Sequence, residues 1–174
     1  MARRKVILFD VNETLLDLTP VKESVGKALG GRPELASLWF TTLLPHPDVI
    51  PALGRLRDAD YRLFTLTNSS KAAVADQMTH AGLTEFFESS LSVEDVGKYK
   101  PHADVYHWAA GRAGADVSEC LLVAAHGWDV AGAAWAGMRT AFVARPGQQQ
   151  FPLGPAIDIT VPSLAELPGE LERS

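Results

Sequence analysis

Short apolar runs rich in β-forming residues alternate along this chain with longer stretches of helical period, and that alternation is what most restricts its fold. Residues 6–9 (Val-Ile-Leu-Phe) read as a buried strand, and strands are also predicted over 61–66, 90–93, 121–124, 140–143 and 157–161. Helices are predicted over 21–29, 33–44, 48–59 (with Asp48 as N-cap), 71–81 (stopping at Gly82), 103–113 and 129–136. Strands separated by helices need crossover connections, so the pattern predicts a parallel sheet covered on both faces: a doubly wound, three-layer α/β sandwich. Ligands of such sheets gather beyond the carboxyl ends of the strands. Asp10, Thr67-Asn68 and Ala125-His126 each follow a predicted strand directly, which brings three distant stretches to one sheet edge. No repeat, low-complexity tract or linker divides the chain, so residues 1–174 are expected to form one domain, with 147–155 as a loop.

At 174 residues and 18.8 kDa the chain is long enough to bury one substantial core. A net charge of −5 provides no basic field for nucleic acid. The single Cys excludes an intrachain disulfide and any four-Cys zinc site, and Cys120, within Cys-Leu-Leu-Val-Ala, is expected to be buried and inert. The basic start, Met-Ala-Arg-Arg-Lys, precedes an apolar run that stops after four residues at Asp10, too short for a secretory signal. No run approaches the ~18 apolar residues of a membrane span, so a cytoplasmic protein without membrane partners is expected.

Asp10 is the sharpest chemical feature. A carboxylate just past a buried strand, on a loop with Asn12 and Thr14, can attack an electrophilic carbon or phosphorus as a covalent nucleophile, or can simply cap the turn. The run Phe9-Asp10-Val11-Asn12-Glu13-Thr14-Leu15-Leu16-Asp17 resembles the first motif of the haloacid dehalogenase superfamily. Thr67-Asn68-Ser69 resembles its second motif, and Lys100-Pro101, with Tyr106 six residues past the Lys, its third. Ala125-His126-Gly127-Trp128-Asp129, leading into a small-residue run, resembles its fourth. The resemblance spans nearly the whole chain and implies the Rossmann-like core of that superfamily.

Within the superfamily, phosphatases place an Asp two residues after the nucleophile to protonate the leaving group, and two acidic residues in the fourth motif to hold Mg²⁺. Here those places hold Asn12 and Ala125, with only Asp129 remaining. The resemblance therefore implies the type II 2-haloacid dehalogenase branch, which needs no metal and no leaving-group acid because halide departs as a stable anion. Its implied substrates are a small 2-halocarboxylate and water. Asp10 would attack C2 to form an ester, and water would then hydrolyse that ester to a 2-hydroxy acid. Lys100 would pair with Asp10 and Asp129 and keep the nucleophile ionised. Thr14 and Thr67 would bond the substrate carboxylate or Asp10, Asn68 would sit near the halide, and Tyr106 would support Lys100 or the substrate. Asp129 with His126 would orient and deprotonate the water; His126 stands where many members carry Asn, and a near-neutral imidazole suits a base. Glu13 reads as structural, and Trp128 as packing.

The resemblance also implies a helical cap between the first two motifs, supplying an Arg to the halide. Residues 18–46 hold only two short predicted helices, a rudimentary cap whose one Arg, Arg32, does not match the expected position. Exposed Leu38, Trp39 and Phe40 there would pack against a second chain, which would serve as the missing lid in a homodimer. Two alternatives stay open. One is a small Mg²⁺-dependent phosphatase with Asp10, the Asn12 carbonyl and Asp129 as ligands; the other is a catalytically weak domain acting in binding.

Overall fold

The computed structural model describes residues 5–17 and 43–173. Strand β1 (Val6–Phe9) opens the chain's core, followed by β2 (Leu16–Asp17), β3 (Leu44–Pro45) and helix α1 (Val49–Asp58). Next come β4 (Arg62–Thr67), α2 (Lys71–His80), β5 (Ser89–Ser92), α3 (Ala103–Arg112) and β6 (Cys120–Ala124). Helix α4 (Gly127–Trp135), β7 (Arg139–Val143), β8 (Ile159–Val161) and α5 (Leu167–Arg173) complete it.

Six strands form one parallel sheet in the order β5-β4-β1-β6-β7-β8. The side chains of β1 alternate between two cores, as the period of two in a strand requires. Ile7 and Phe9 pack with Leu53 and Leu56 of α1, Val74 and Met78 of α2, and Leu171 of α5. Val6 and Leu8 face the other way, against Val105 and Ala109 of α3 and Val130 and Ala133 of α4. Apolar residues are thus needed at successive positions of a central strand, which is why 6–9 carries no polar residue. Among the described residues no helix is long and apolar enough to cross a membrane.

The predicted core elements appear with ends shifted by at most two residues, and three differences stand out. Asp48 precedes α1, but its side chain makes no capping bond. It accepts instead from Arg145 Nη1 at 2.8 Å, Ser163 Oγ at 2.7 Å and the Leu164 amide at 2.8 Å, so a charged tertiary partner displaced the local cap. The helix predicted over 33–44 does not include Leu44, which pairs as β3 with β2 in an antiparallel ribbon, Leu16 opposite Pro45 and Asp17 opposite Leu44. Nor does it include Leu43, which is buried in the core; residues 33–42 of that prediction, the helix predicted over 21–29, and Arg32, Leu38, Trp39 and Phe40 lie outside the described residues. Helix α4 begins at Gly127, two residues before its predicted start, and this puts Asp129 in its first turn.

Candidate active site

Strands β4, β1 and β6 are adjacent, so the loops leaving their carboxyl ends converge beside Asp10. Connections run outward from β1 in both directions, the topological switch at which α/β sheets open a crevice. The Asp10 amide donates to the Val123 carbonyl at 2.9 Å and fixes the residue at that edge. Its Oδ1 accepts from Lys100 Nζ at 2.8 Å; its Oδ2 accepts from Thr14 Oγ1 at 2.9 Å and lies 2.9 Å from His126 Nδ1. Thr14 Oγ1 itself accepts from the Ala125 amide at 2.8 Å, which turns its own proton toward Asp10.

Lys100 arrives from the loop between β5 and α3 and is fully enclosed. Its ammonium donates to Asp10, to Asp129 Oδ2 at 2.5 Å and to the Leu66 carbonyl at 2.9 Å, so all three of its protons have acceptors. Burial lowers the ammonium's proton affinity, but the two carboxylates outweigh it and the pKa is raised. Burial would raise Asp10, yet Lys100, His126 and their hydrogen bonds bring it down to about 2, so the carboxylate is ionised at neutral pH. Asp129 goes the other way: complete burial lifts its carboxyl above the ordinary value, against the Lys100 charge and with the Asp10 charge adding.

The other predicted residues surround this triad in distinct ways. Tyr106 is buried and donates to Asp129 Oδ1 at 2.6 Å. Asn68 clasps the Lys100 backbone, accepting from its amide at 2.9 Å and donating to its carbonyl at 3.3 Å. Thr67 Oγ1 accepts from the Ser69 amide at 3.1 Å and so shapes the turn after β4. Asn12 points toward that turn, donating to Ser69 Oγ at 3.3 Å and accepting from Gln77 at 3.2 Å. The Trp128 ring lies 5.9 Å from the Lys100 ammonium and 5.4 Å from the His126 ring. Cys120, the first residue of β6, is buried in the core, its thiol pushed up to about 11 by burial and nearby acids.

Two polar contacts escaped the sequence reading. Glu13 Oε2 lies 3.0 Å from His126 Nε2, and Gln148, in the loop after β7, donates to the same oxygen at 2.9 Å. Glu13 sits at φ 58°, a left-handed conformation unusual for a side-chain-bearing residue. Only its place beside Asp10 in the first motif hinted at a role, and Gln148 carried no signal at all. The His126 pKa is correspondingly raised: burial alone would lower it, but the bonds and charges of Asp10 and Glu13 prevail, in contrast to the near-neutral imidazole expected from sequence.

A divalent cation fits this arrangement poorly. The inner oxygens of Asp10 and Asp129 already bind one ammonium between them, where Mg²⁺ would need open oxygen ligands. Among the described residues no group of three or more His, Cys, Asp or Glu could hold a metal ion.

The family profile for haloacid dehalogenase-like hydrolases matches residues 23–137, most of the chain. The chain belongs to the haloacid dehalogenase-like hydrolases. It is 34% identical over 125 residues to the (S)-2-haloacid dehalogenase of Pseudomonas sp. (strain YL), a match covering 72% of this chain and 54% of the relative. It is 33% identical to haloacetate dehalogenase H-2 of Moraxella sp. (strain B), covering 71% of this chain and 55% of that one. The chain thus spans about half the length of the curated relatives it matches. In fold it resembles an L-2-haloacid dehalogenase from Xanthobacter autotrophicus solved with chloropropionic acid covalently bound (TM-score 0.86, 22% identity, 98% of this chain and 99% of that one). Membership of the haloacid dehalogenase-like hydrolases also accounts for the motif order, since each of the four motifs ends at the same crevice.

Proposed function

We propose that this protein hydrolyses small 2-haloalkanoic acids to 2-hydroxy acids through an ester on Asp10. The observation that carries the reading is the Lys100 ammonium held between Asp10 and Asp129. It keeps Asp10 ionised and supplies a fixed positive charge without a metal, in a chain lacking an acid at Asn12 to protonate a poor leaving group. In the first step an Asp10 oxygen displaces halide from C2, forming one C–O bond as the C–X bond breaks. In the second, water attacks the ester carbon. Asp129, raised by burial, accepts a proton of that water, and the C2 oxygen leaves as the product hydroxyl. The net reaction consumes water and releases halide and one proton.

Thr14 orients Asp10, Tyr106 holds Asp129, and Asn68 fixes Lys100 through its backbone. The relatives named as (S)-2-haloacid and haloacetate dehalogenases support the substrate class. The test is halide release from 2-chloropropionate and from haloacetates, with and without EDTA. Release that persists in EDTA and vanishes in Asp10→Asn is the expected result. Activity only on phosphate esters with Mg²⁺ would overturn the reading.

A further inference from the structure

The two oxygens of Asp10 are not equivalent, and the difference assigns His126 a role other than that of a base. Oδ2 faces two donors, Thr14 Oγ1 and His126 Nδ1, whereas Oδ1 faces Lys100. Hydrogen bonds draw electron density from an oxygen, and Oδ1 accepts one, from the Lys100 ammonium, where Oδ2 meets two, so Oδ1 keeps the freer lone pair and becomes the ester oxygen. Oδ2 then becomes the ester carbonyl, with both donors already directed at it.

His126 lies between two carboxylates, 2.9 Å from Asp10 Oδ2 and 3.0 Å from Glu13 Oε2. Ionised carboxylates only accept, so a ring with both nitrogens so placed carries both protons. Esterification removes the charge of Asp10 but not that of Glu13, which continues to hold an imidazolium at Nε2. Gln148, donating to the same Glu13 oxygen, fixes that carboxylate in turn.

We infer that His126 and Thr14 form an oxyanion site for hydrolysis of the Asp10 ester, and that Glu13 is the positioning residue that keeps His126 a charged donor within it. This rests on the dehalogenase reading and deepens it. When water attacks the ester carbon, the carbonyl electron pair moves onto Oδ2, where the His126 and Thr14 protons stabilise it. Collapse of the tetrahedral species returns that pair and breaks the bond from the ester carbon to Oδ1. Oδ1 leaves on C2 beside the Lys100 ammonium and becomes the product hydroxyl with one proton of the attacking water; the other proton, first accepted by Asp129, passes to solvent. The water oxygen remains on Asp10.

The experiment follows one turnover of 2-chloropropionate by rapid quench, reading free halide and, by intact mass, the ester on the protein. His126→Asn keeps an N–H donor but cannot act as a base; His126→Ala keeps neither. Glu13→Gly removes the carboxylate at a backbone conformation that glycine adopts freely, so misfolding is not a confounding cause, and circular dichroism checks this. Glu13→Gln retains an acceptor.

His126→Ala is expected to accumulate ester, its hydrolysis slowed by about 10²–10³-fold. Glu13→Gly should slow hydrolysis by about tenfold or more, with Glu13→Gln recovering part of the loss. In each, the first-turnover halide release changes less than hydrolysis, and His126→Asn stays closer to wild type than to His126→Ala. His126→Asn as slow as His126→Ala would restore His126 as a base and overturn the inference. So would a Glu13→Gly variant that hydrolyses ester at the wild-type rate, while wild-type ester formation would still uphold the dehalogenase reading. Wild-type protein yielding neither halide nor ester would overturn both.

Discussion

At the scale of single residues, the site is a chain of alternating charges: Asp129, Lys100, Asp10, His126 and Glu13, each in contact with the next. Three carboxylates flank two cations, so nearly every charge is met by its opposite where water is scarce. The pH behaviour follows. His126 has a folded-state pKa above its ordinary 6.5, so its stabilising contribution is complete below that value and fades as pH rises through the folded one. Denaturant unfolding from pH 6 to pH 9 should therefore show wild type losing part of its stability advantage over His126→Asn on the alkaline side. A constant difference would mean that His126 is neutral in the fold. Asp10, Lys100 and Asp129 were legible from motif and order because each sits beside a strand or helix end. The Glu13–His126 contact was not, since 113 residues separate the pair and neither side chain belongs to a pattern that implies the other.

At the scale of elements, close approach of backbones sets the geometry. A Cβ on Gly132 of α4 would fall 2.4 Å from Pro101 Cβ and 2.7 Å from the Tyr106 hydroxyl. Gly132→Ala should therefore cost about 1–3 kcal/mol and depress turnover, because Pro101 follows Lys100 and Tyr106 holds Asp129. Gly111→Ala, in α3 with open space around it, should instead gain about 0.4–1 kcal/mol and leave turnover intact. Paired thermal melts and halide assays check both. The strands of the sheet were readable because burial on two faces requires unbroken apolar runs. The ribbon of β2 and β3 was not, because elements of two residues show no periodicity. Nor was α5, whose Leu-Pro-Gly start reads as a breaker until Leu167 and Leu171 pack into the core.

At the scale of the whole molecule, the site exists only when the sheet is assembled: β1, β4 and β6 bring together residues as far apart as Asp10 and His126. Asp48 and Arg145 brace this assembly from outside the crevice. Arg145 joins Asp48 to the Thr14 carbonyl, and Asp48 holds the turn that leads into α5, so the loop after β1 that carries Asp10 is anchored to α5. The β2/β3 ribbon has a separate consequence. Asp17 and Leu44 are direct partners across it, so the two flanks of residues 18–43 are held together at one doorway of the core. A doorway of this kind is indifferent to what lies beyond it, because doubling the excursion costs only about 0.6 kcal/mol in closure entropy. A flexible Gly-Ser stretch spliced between residues 17 and 43, keeping the buried Leu43, should shift the denaturation midpoint of the core only slightly; a large drop would show that residues 18–42 themselves support the core. The ribbon thus acts as a clasp: it holds the two flanks together by its own pairing, a few residues past the loop that carries Asp10.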